Sequence, residues 1–433
     1  MVTASDYSSQ ASSESSTAGA SPVTSEKPLA GIRVLDLSRV LAGPWCSQLL
    51  ADMGAEVIKI ERPGRGDDTR HWGPPWAGDS QEAAYYLAAN RGKQSVAVDI
   101  SRPEGQALIR ELAAQSDVVL ENFKVGGLAK YGLDYDALKS LNPRLVYCAI
   151  TGFGQDGPYA HRAGYDFMIQ GMGGIMSLTG EPDEQPGGGP MKVGVAFVDI
   201  FTGLYAANAI MAALWRRQQT GRGGYIDMAL LDVQVGVLAN QALNYLTSHQ
   251  VPQRLGNAHP NIVPYQAFAS LDGNIILAVG NDDQFSRFCE VAGRADLAQD
   301  ERFSTNRARV AHRTELVPQI AALMASRTTD EWLNVLESVG VPCGPVNTLD
   351  RVFDDPQVLA RELVQHLPHP TAGEVRLVGN PICLDGQRLN ANVPPPLLGA
   401  HTRAVMKQYL GLDDATLQSL AQAGVLGFSD EAD

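Results

Sequence analysis

Short apolar strands alternate with helices over the first third of the chain, and no other feature constrains the fold more. Residues 33–37 and 56–61 are strand-like, and between them a helix opens at Gly43-Pro44 and runs through Met53. Further strands are predicted at 94–100, 117–123 and 145–151, with helices at 103–115 and 134–141. Because parallel strands need crossover connections, this order predicts a doubly wound α/β sheet.

The 433 residues are enough for more than one domain. We expect a disordered tail at 1–27, a large α/β domain at 28–220, a linker helix at 221–244 and a smaller α/β domain at 245–345. Residues 346–433 are too few for an independent core. They are therefore expected to form a linker and a C-terminal part that packs back on the large domain.

The charge balance argues against two classes of partner. With 34 basic and 48 acidic side chains the formal net charge is −14, which disfavours nucleic acid and anionic membrane surfaces. The N-terminal segment has neither the apolar core of a signal peptide nor the arginines of a transit peptide. The five cysteines stand singly, which is typical of a reducing compartment. We therefore expect a cytoplasmic protein.

Common site motifs are missing or incomplete. The eight histidines form no H-E-x-x-H pair, so no metal site is predicted, and neither a G-x-S-x-G elbow nor a Walker A motif occurs. Residues 152–157 match G-x-G-x-x-G, but Pro158 follows where that fingerprint needs a helix, so the match is weak. No permanently bound cofactor is expected.

The most apolar long run, residues 193–215, contains a single charged side chain, Asp199. This charge and several small residues argue against a membrane span. One interpretation is that Asp199 caps the helix that follows. The other is a functional carboxylate that the helix N-terminus keeps ionised, able to attack an activated acyl group without a general base, as coenzyme A transfer requires. The residues alone leave both open.

A loop at 62–72 carries Arg62, Arg65 and Arg70 directly after a predicted strand. Basic side chains at the carboxyl end of a strand are well placed for phosphates. The alternative is a solvated loop in which these arginines pair with Asp67 and Asp68. The loop sequence does not decide between the two.

Several longer motifs occur in one consistent order. They are VLDLSRVLAGP at 34–44, GAEVIKIER at 54–62, VLENF at 119–123, YDF at 165–167, VDI at 198–200, GVPCGP at 340–345 and PLLGAH at 396–401. Together they resemble the class III coenzyme A transferases from about residue 29 to 424. That family contains formyl-CoA:oxalate, carnitine and succinyl-CoA:glutarate transferases, and the α-methylacyl-CoA racemases are relatives.

The resemblance implies a fold and an assembly. Family members have a Rossmann-like large domain with a parallel sheet and a smaller α/β domain. Two such subunits are interlocked as rings, so an obligate homodimer is implied. The other implied partners are an acyl-CoA and a small carboxylic acid, with the coenzyme A thioester as substrate.

The resemblance also implies a mechanism and a binding site. Asp199 matches the family's catalytic aspartate, which forms an aspartyl anhydride with the acyl group and then an aspartyl-CoA thioester. The implied donor is succinyl-CoA or a similar acyl-CoA, and the acceptor a small dicarboxylic or related acid. Positions that match the family's CoA contacts are Val40, Leu41, Ala42, Arg62, Val98, Ser101, Asn122, Phe123, Lys130 and Tyr165, the last within a group at 163–166. Candidates for holding the acceptor's distal carboxylate are Arg254, His259 and Tyr265.

Three alternatives are weighed against this interpretation. A formyl-CoA:oxalate transferase is disfavoured because Leu41 and Ser101 stand where that enzyme has glutamine and lysine, and residues 261–268 look most like the succinyl-CoA:glutarate branch. A racemase needs a histidine base where this chain has Tyr165, and tyrosine is a poor base at neutral pH. A non-enzymatic CoA-binding protein of this fold would make no use of Asp199.

Overall fold

Helices and strands occur throughout residues 27–429, the range that the computed structural model describes. The strands in this range are β1 (Arg33–Asp36), β2 (Glu56–Glu61), β3 (Lys93–Val98), β4 (Val118–Glu121), β5 (Val146–Thr151), β6 (Gly224–Ala229), β7 (Tyr265–Ala269), β8 (Asn274–Ala278), β9 (Cys343–Pro345), β10 (Val364–His369), β11 (Gly373–Val378), β12 (Cys383–Leu384), β13 (Gln387–Arg388) and β14 (Leu426–Gly427). The expected tail at 1–27 lies outside the described residues, apart from Lys27.

The α-helices are distributed over the same range. They are α1 (Ala42–Asp52), α2 (Ala84–Leu87), α3 (Pro103–Ala114), α4 (Tyr135–Leu141), α5 (Asp166–Met172), α6 (Ile175–Leu178), α7 (Phe197–Thr220), α8 (Leu230–Gly236), α9 (Ala239–Ser248), α10 (Asp282–Val291), α11 (Ala295–Gln299), α12 (Asn306–Ala311), α13 (Arg313–Met324), α14 (Thr329–Ser338), α15 (Leu349–Asp354), α16 (Pro356–Ala360), α17 (Thr402–Leu410) and α18 (Asp414–Gln422). Two short 3₁₀ turns lie at Asp68–His71 and Ala129–Tyr131.

The central sheet has seven strands in the order β14-β3-β2-β1-β4-β5-β6. All neighbouring pairs are parallel except β14 with β3, which is antiparallel. The doubly wound α/β prediction is therefore confirmed. The sheet continues beyond the expected domain end at 220, because β6 falls in the segment 221–244 for which a linker helix was expected.

Helices cover both faces of this sheet. On one face, α3 packs with α17 and α18 from the C-terminal part through side chains such as Leu112, Met406 and Leu417. On the other face, α1 and α7 bury Leu50 and Ile210 against the strands. Both faces are thus removed from water, which explains why the strands read as apolar runs without alternation.

Helix α7 is the long apolar segment that the sequence singled out. Its length and composition alone would suit a membrane span. In this structure it packs lengthwise on α1, and a Cβ at Gly203 would lie 2.8 Å from the carbonyl oxygen of Ala42 and 3.1 Å from the side chain of Trp45. Only glycine allows this approach, so the first turns of α7 and α1 are in direct contact.

A smaller unit with its own core follows in the chain. Strands β7, β8 and β9 form an antiparallel sheet, and helices from α10 to α14 pack around it. Its buried centre contains Phe285, Phe288 and Trp332, which are at most 1% exposed. The C-terminal part returns to the large domain, where the β10–β11 hairpin packs on Tyr86 and Leu87.

Candidate active site

The strand order places a crevice between β1 and β4. From β1 the chain continues to β2 on one side, whereas β4 is followed by β5 on the other, so the two loops diverge at the carboxyl ends of these strands. Such a switch point is where doubly wound sheets bind ligands. The side chain of Asn122 joins the two loops, since its Oδ1 accepts from the Arg39 N–H at 2.9 Å and its Nδ2 donates to the Arg39 carbonyl at 2.7 Å.

Asp199 lies in the first turn of α7, but it does not cap that helix. The cap is supplied by Asp166 of α5, whose Oδ2 accepts from the backbone N–H of Val198 at 2.8 Å and of Asp199 at 3.3 Å. The helix-cap interpretation of Asp199 is therefore wrong. Because another carboxylate satisfies these N–H groups, the Asp199 side chain is free for a different role, and it lies on the wall of the switch-point crevice.

The surroundings of Asp199 favour its protonated form. Burial, and after it the negative charge of Asp166, raise the pKa of Asp199 from 3.8 to about 7. Among residues 27–429 no donor hydrogen-bonds to its carboxylate oxygens, so nothing there offsets the desolvation. The helix N-terminus therefore does not hold the pKa of Asp199 at its ordinary value, and at neutral pH the group is divided between its ionised and protonated forms. Such a perturbed carboxylate in a crevice is a functional-site candidate on physical grounds.

The cleft at Asp199 has a volume of about 440 Å³ and collects seven of the expected CoA contacts. These residues are Val40, Leu41, Ala42, Asn122, Phe123, Lys130 and Tyr165. Their positions come from three separate segments of the sequence, the loops after β1 and β4 and the segment before α5. Whether these side chains contact coenzyme A stays a prediction.

A second cleft of about 340 Å³ continues from the first along the sheet edge. It contains the remaining three expected contacts, Arg62, Val98 and Ser101. Arg39 and Phe123 line both clefts, so the two form one path that leads from Arg62 to Asp199. All ten positions expected to contact CoA thus lie along a single channel.

The arginines of the 62–72 loop do not act alike. Arg70 is buried, holds Glu61 through two 2.8 Å contacts and stacks on the ring of Tyr86, so it is not available for a phosphate. Arg65 is exposed and pairs with Asp68 at 3.2 Å. Only Arg62 faces the channel. The phosphate interpretation is therefore wrong for Arg70. As the alternative expected, Arg70 forms an internal ion pair, but its partner is Glu61 and not Asp67 or Asp68.

Three cations of the Asp199 cleft were missed in the sequence analysis. Arg39, Lys124 and Arg162 line it together with the expected Lys130, which makes the cleft basic in a protein of net charge −14. Arg162 is held over the rings of Tyr159 and Phe153, 4.6 and 5.3 Å from their centroids. Arg39 lies within the motif at 34–44 and Lys124 directly follows the motif at 119–123, and these placements were a usable signal.

The three acceptor candidates lie outside both clefts of the subunit. Arg254 pairs with Asp183 on the 179–190 loop and also donates to the carbonyl of Glu181. His259 and Tyr265 pack against each other, 5.3 Å between ring centroids. A role for Arg254, His259 and Tyr265 in acceptor binding stays a prediction.

Fold and cleft define a doubly wound α/β protein in which four basic side chains and the carboxylate of Asp199 line one switch-point cleft, the arrangement of a group-transfer enzyme for a large anionic substrate. The sequence profile of CoA-transferase family III matches residues 29–402, and the chain belongs to that family. The resemblance stated from the motifs is confirmed. As a CoA-transferase the protein uses a coenzyme A thioester and a carboxylic acid as substrates.

Named relatives cover nearly the whole chain. Succinate–glutarate CoA-transferase of Agrobacterium fabrum is 53% identical over 385 residues, 88% of this chain and 95% of the relative. Succinyl-CoA:glutarate CoA-transferase of Mus musculus is 45% identical over 402 residues, 93% and 91% of the two chains. Among solved structures, a CAIB/BAIF family protein from Brucella suis is 51% identical, with a TM-score of 0.79 over 89% of this chain and all of that one.

Proposed function

We propose that this protein transfers coenzyme A from succinyl-CoA to glutarate, with Asp199 as the nucleophile. One observation carries the catalytic part of the proposal: the carboxylate of Asp199, which has no hydrogen-bond donor among the described residues, lies in the wall of a cleft with four basic side chains. The names and identities of the relatives from Agrobacterium fabrum and Mus musculus support the choice of donor and acceptor.

The channel suggests how the acyl-CoA lies. We place the nucleotide phosphates near Arg62, whose guanidinium group offers charge-assisted hydrogen bonds. The pantetheine arm then passes Phe123 and Asn122 at the carboxyl end of β4. This leaves the thioester beside Leu41 and Asp199. The four cations of the Asp199 cleft also attract a polyanion that the net charge of the protein would otherwise repel.

The chemistry is an exchange of acyl groups on one carboxylate. The ionised Asp199 attacks the thioester carbonyl, the C–S bond breaks, and an aspartyl anhydride and the CoA thiolate form. The thiolate attacks the aspartyl carbonyl, which releases succinate and leaves an aspartyl-CoA thioester. Glutarate attacks that thioester, giving a new anhydride and free thiolate. The thiolate attacks the glutaryl carbonyl, so glutaryl-CoA leaves and the carboxylate of Asp199 is regenerated.

Burial of Asp199 suits this role. A carboxylate with a raised pKa is a stronger nucleophile once ionised, because it is poorly solvated and gains more from bond formation. Among the described residues, no cation of the cleft forms an ion pair with Asp199, so the reactivity of its carboxylate is retained. The proposal requires that Asp199 is ionised near neutral pH when acyl-CoA is bound.

We propose a homodimer, interlocked as in the family. Large apolar side chains are exposed on α7 and α9, where Trp215, Leu243 and Leu246 are 69, 58 and 63% exposed. Exposed apolar side chains of this size are typical of interaction sites. A partner subunit would cover it and could bring the segment of His259 and Tyr265 to the channel. The cytoplasmic location also stays a prediction.

The racemase alternative has little support in the channel. Tyr165 is 70% exposed, and among residues 27–429 no histidine lines either cleft. Proton abstraction from a substrate would therefore lack its usual base.

Intact-mass analysis after incubation with succinyl-CoA tests the proposal. A covalent adduct is expected on the wild type, mapped by peptide analysis to Asp199, and it should be absent in Asp199→Asn. Glu301→Gln, an exposed acid of the smaller unit, is the matched control and should keep the adduct. Full transfer activity of Asp199→Asn would refute the assignment. A panel of glutarate, malate, citramalate, itaconate, oxalate and carnitine tests the acceptor, with glutarate expected to give the highest kcat/KM.

A further inference from the structure

Val40 adopts a backbone conformation that a β-branched residue rarely takes. Its φ is +71°, in the left-handed region where Val is a true outlier. Val40 lies in the turn between β1 and α1, and its neighbours Leu41 and Ala42 line the Asp199 cleft with it. Such strain persists only where the surrounding structure imposes it.

The restraint on Val40 is a buried carboxylate. Both oxygens of Asp67 lie 3.2 Å from the Val40 N–H, and Asp67 comes from the loop after β2. The Asp67 side chain is fully buried, and its own backbone N–H donates to Glu61 at 2.8 Å. Burial alone would raise the pKa of Asp67, but the Lys59 ammonium and the Thr69 N–H lower it to about 2. It therefore acts as a permanent anion.

Lys59 ties this carboxylate to the other side of the same turn. Its Nζ lies 2.9 Å from the Asp67 carboxylate and donates to the Ser38 carbonyl at 2.8 Å. The two contacts hold Ser38 and Val40, the residues on either side of Arg39. Asn122 fixes Arg39 itself through its backbone N–H and carbonyl. Three consecutive residues are thus restrained by side chains from three different segments.

We propose that Asp67, held by Lys59, is a positioning residue that keeps the strained turn at residues 38–42 in the shape that the acyl-CoA thioester requires. The proposal rests on the proposed function, since it assumes that the thioester lies between this turn and Asp199. Asp67 lies in the wall of the second cleft, but neither its side chain nor that of Lys59 is exposed, so neither contacts the acyl group. They act through Val40.

The turn would not hold its shape with a carboxamide in place of the carboxylate. Lys59 and the Val40 N–H are both donors, and both are satisfied by a group that only accepts. The Val40 N–H lies 3.2 Å from both Asp67 oxygens, whereas Lys59 and the Thr69 N–H each hold one of them. In either orientation an asparagine would replace one of the two acceptors of Val40 with an NH₂ and present that donor to Lys59 or to Thr69. The weakened contact would no longer offset the strain at Val40, and the turn would relax to an ordinary negative φ.

Asp67→Asn therefore tests the inference, with Asp52→Asn as the matched control. Asp52 is equally buried and pairs with Arg91 at 2.6 Å, but it joins α1 to the C-terminal part, away from the channel. Both variants are expected to melt at a lower temperature. Only Asp67→Asn should raise KM for succinyl-CoA, by about tenfold, while KM for glutarate changes less than about twofold.

Adding Val40→Gly to Asp67→Asn gives the sharper readout. Glycine adopts a positive φ without strain. The double variant should therefore recover most of the affinity for succinyl-CoA that Asp67→Asn loses. Val40→Gly alone should lower the affinity for succinyl-CoA slightly. Equal KM changes in Asp67→Asn and Asp52→Asn, or losses that simply add in the double variant, would overturn the inference. A wild type that forms no adduct on Asp199 would instead refute the proposed function, and the two failures are therefore distinguishable.

Discussion

Asp199→Asn is expected to stabilise the protein as it abolishes transfer. Burial and the neighbouring charge of Asp166 raise the pKa of Asp199 from 3.8 to about 7, so the folded state resists an ionisation that the unfolded chain undergoes freely. Asparagine has nearly the same shape and no charge. It removes this cost and leaves the packing at the start of α7 in place.

The size of the gain follows from the difference between 3.8 and about 7. At about 1.4 kcal/mol for each unit of pKa, it is about 4 kcal/mol in the free energy of unfolding. The folded state holds its proton while the unfolded state has released it between these two pH values, so stability falls as pH rises through that window. The destabilisation of the folded state by Asp199 is fully present above about pH 7 and absent below about pH 4.

Melting curves at several pH values measure the gain in stability from Asp199→Asn. With an unfolding entropy of about 2 cal/mol/K per residue, 433 residues give about 0.9 kcal/mol/K, so the gain corresponds to about 4 °C. Wild type, Asp199→Asn and the control Glu301→Gln should be compared at pH 5 and pH 8 and at one protomer concentration, because association affects the melting temperature. The reasoning fails if Asp199→Asn melts no higher than wild type at pH 8, or if its advantage is as large at pH 5.

Three further outcomes are expected. The rate of adduct formation in single turnovers should rise with pH through about 7, because only the ionised Asp199 attacks, and a flat profile between pH 5.5 and 8.5 would contradict this. Asp166→Asn should move that profile to lower pH, since the amide oxygen still accepts from the Val198 N–H but the side chain no longer repels the charge on Asp199. An unchanged profile would show that Asp166 does not contribute to the raised pKa of Asp199. Arg62→Met should raise KM for succinyl-CoA by about tenfold and reduce its dependence on salt, whereas Arg65→Met should leave both nearly unchanged, because Arg65 already pairs with Asp68.

Much of the large domain could be predicted from local sequence. Parallel strands buried on both faces produce uninterrupted apolar runs, and Gly54, at φ +101°, marks the end of α1 as expected. Strand β6 falls in the segment 221–244, for which a linker helix was expected. Its parallel pairing with β5 depends on contacts between residues about 80 positions apart, and no local pattern reports them.

The channel could be placed only in part. The motifs contain Asp199 and seven of the ten expected contact positions, and the wider family resemblance supplied Val98, Ser101 and Lys130, since it carries three-dimensional information that periodicity does not. The capping role of Asp166 was missed because it joins residues 32 and 33 positions apart. Arg62 and Arg70 could not be distinguished, because both follow the same strand and only the course of the loop buries one of them beneath Tyr86.

Gly203 couples the position of Asp199 to the wall of its cleft. It lies four residues after Asp199 on α7, against the carbonyl of Ala42 in the first turn of α1. The close approach of these two helices sets the spacing between Asp199 and the turn at 38–42. A single added methyl group at position 203 would separate the two helices and thereby change that spacing.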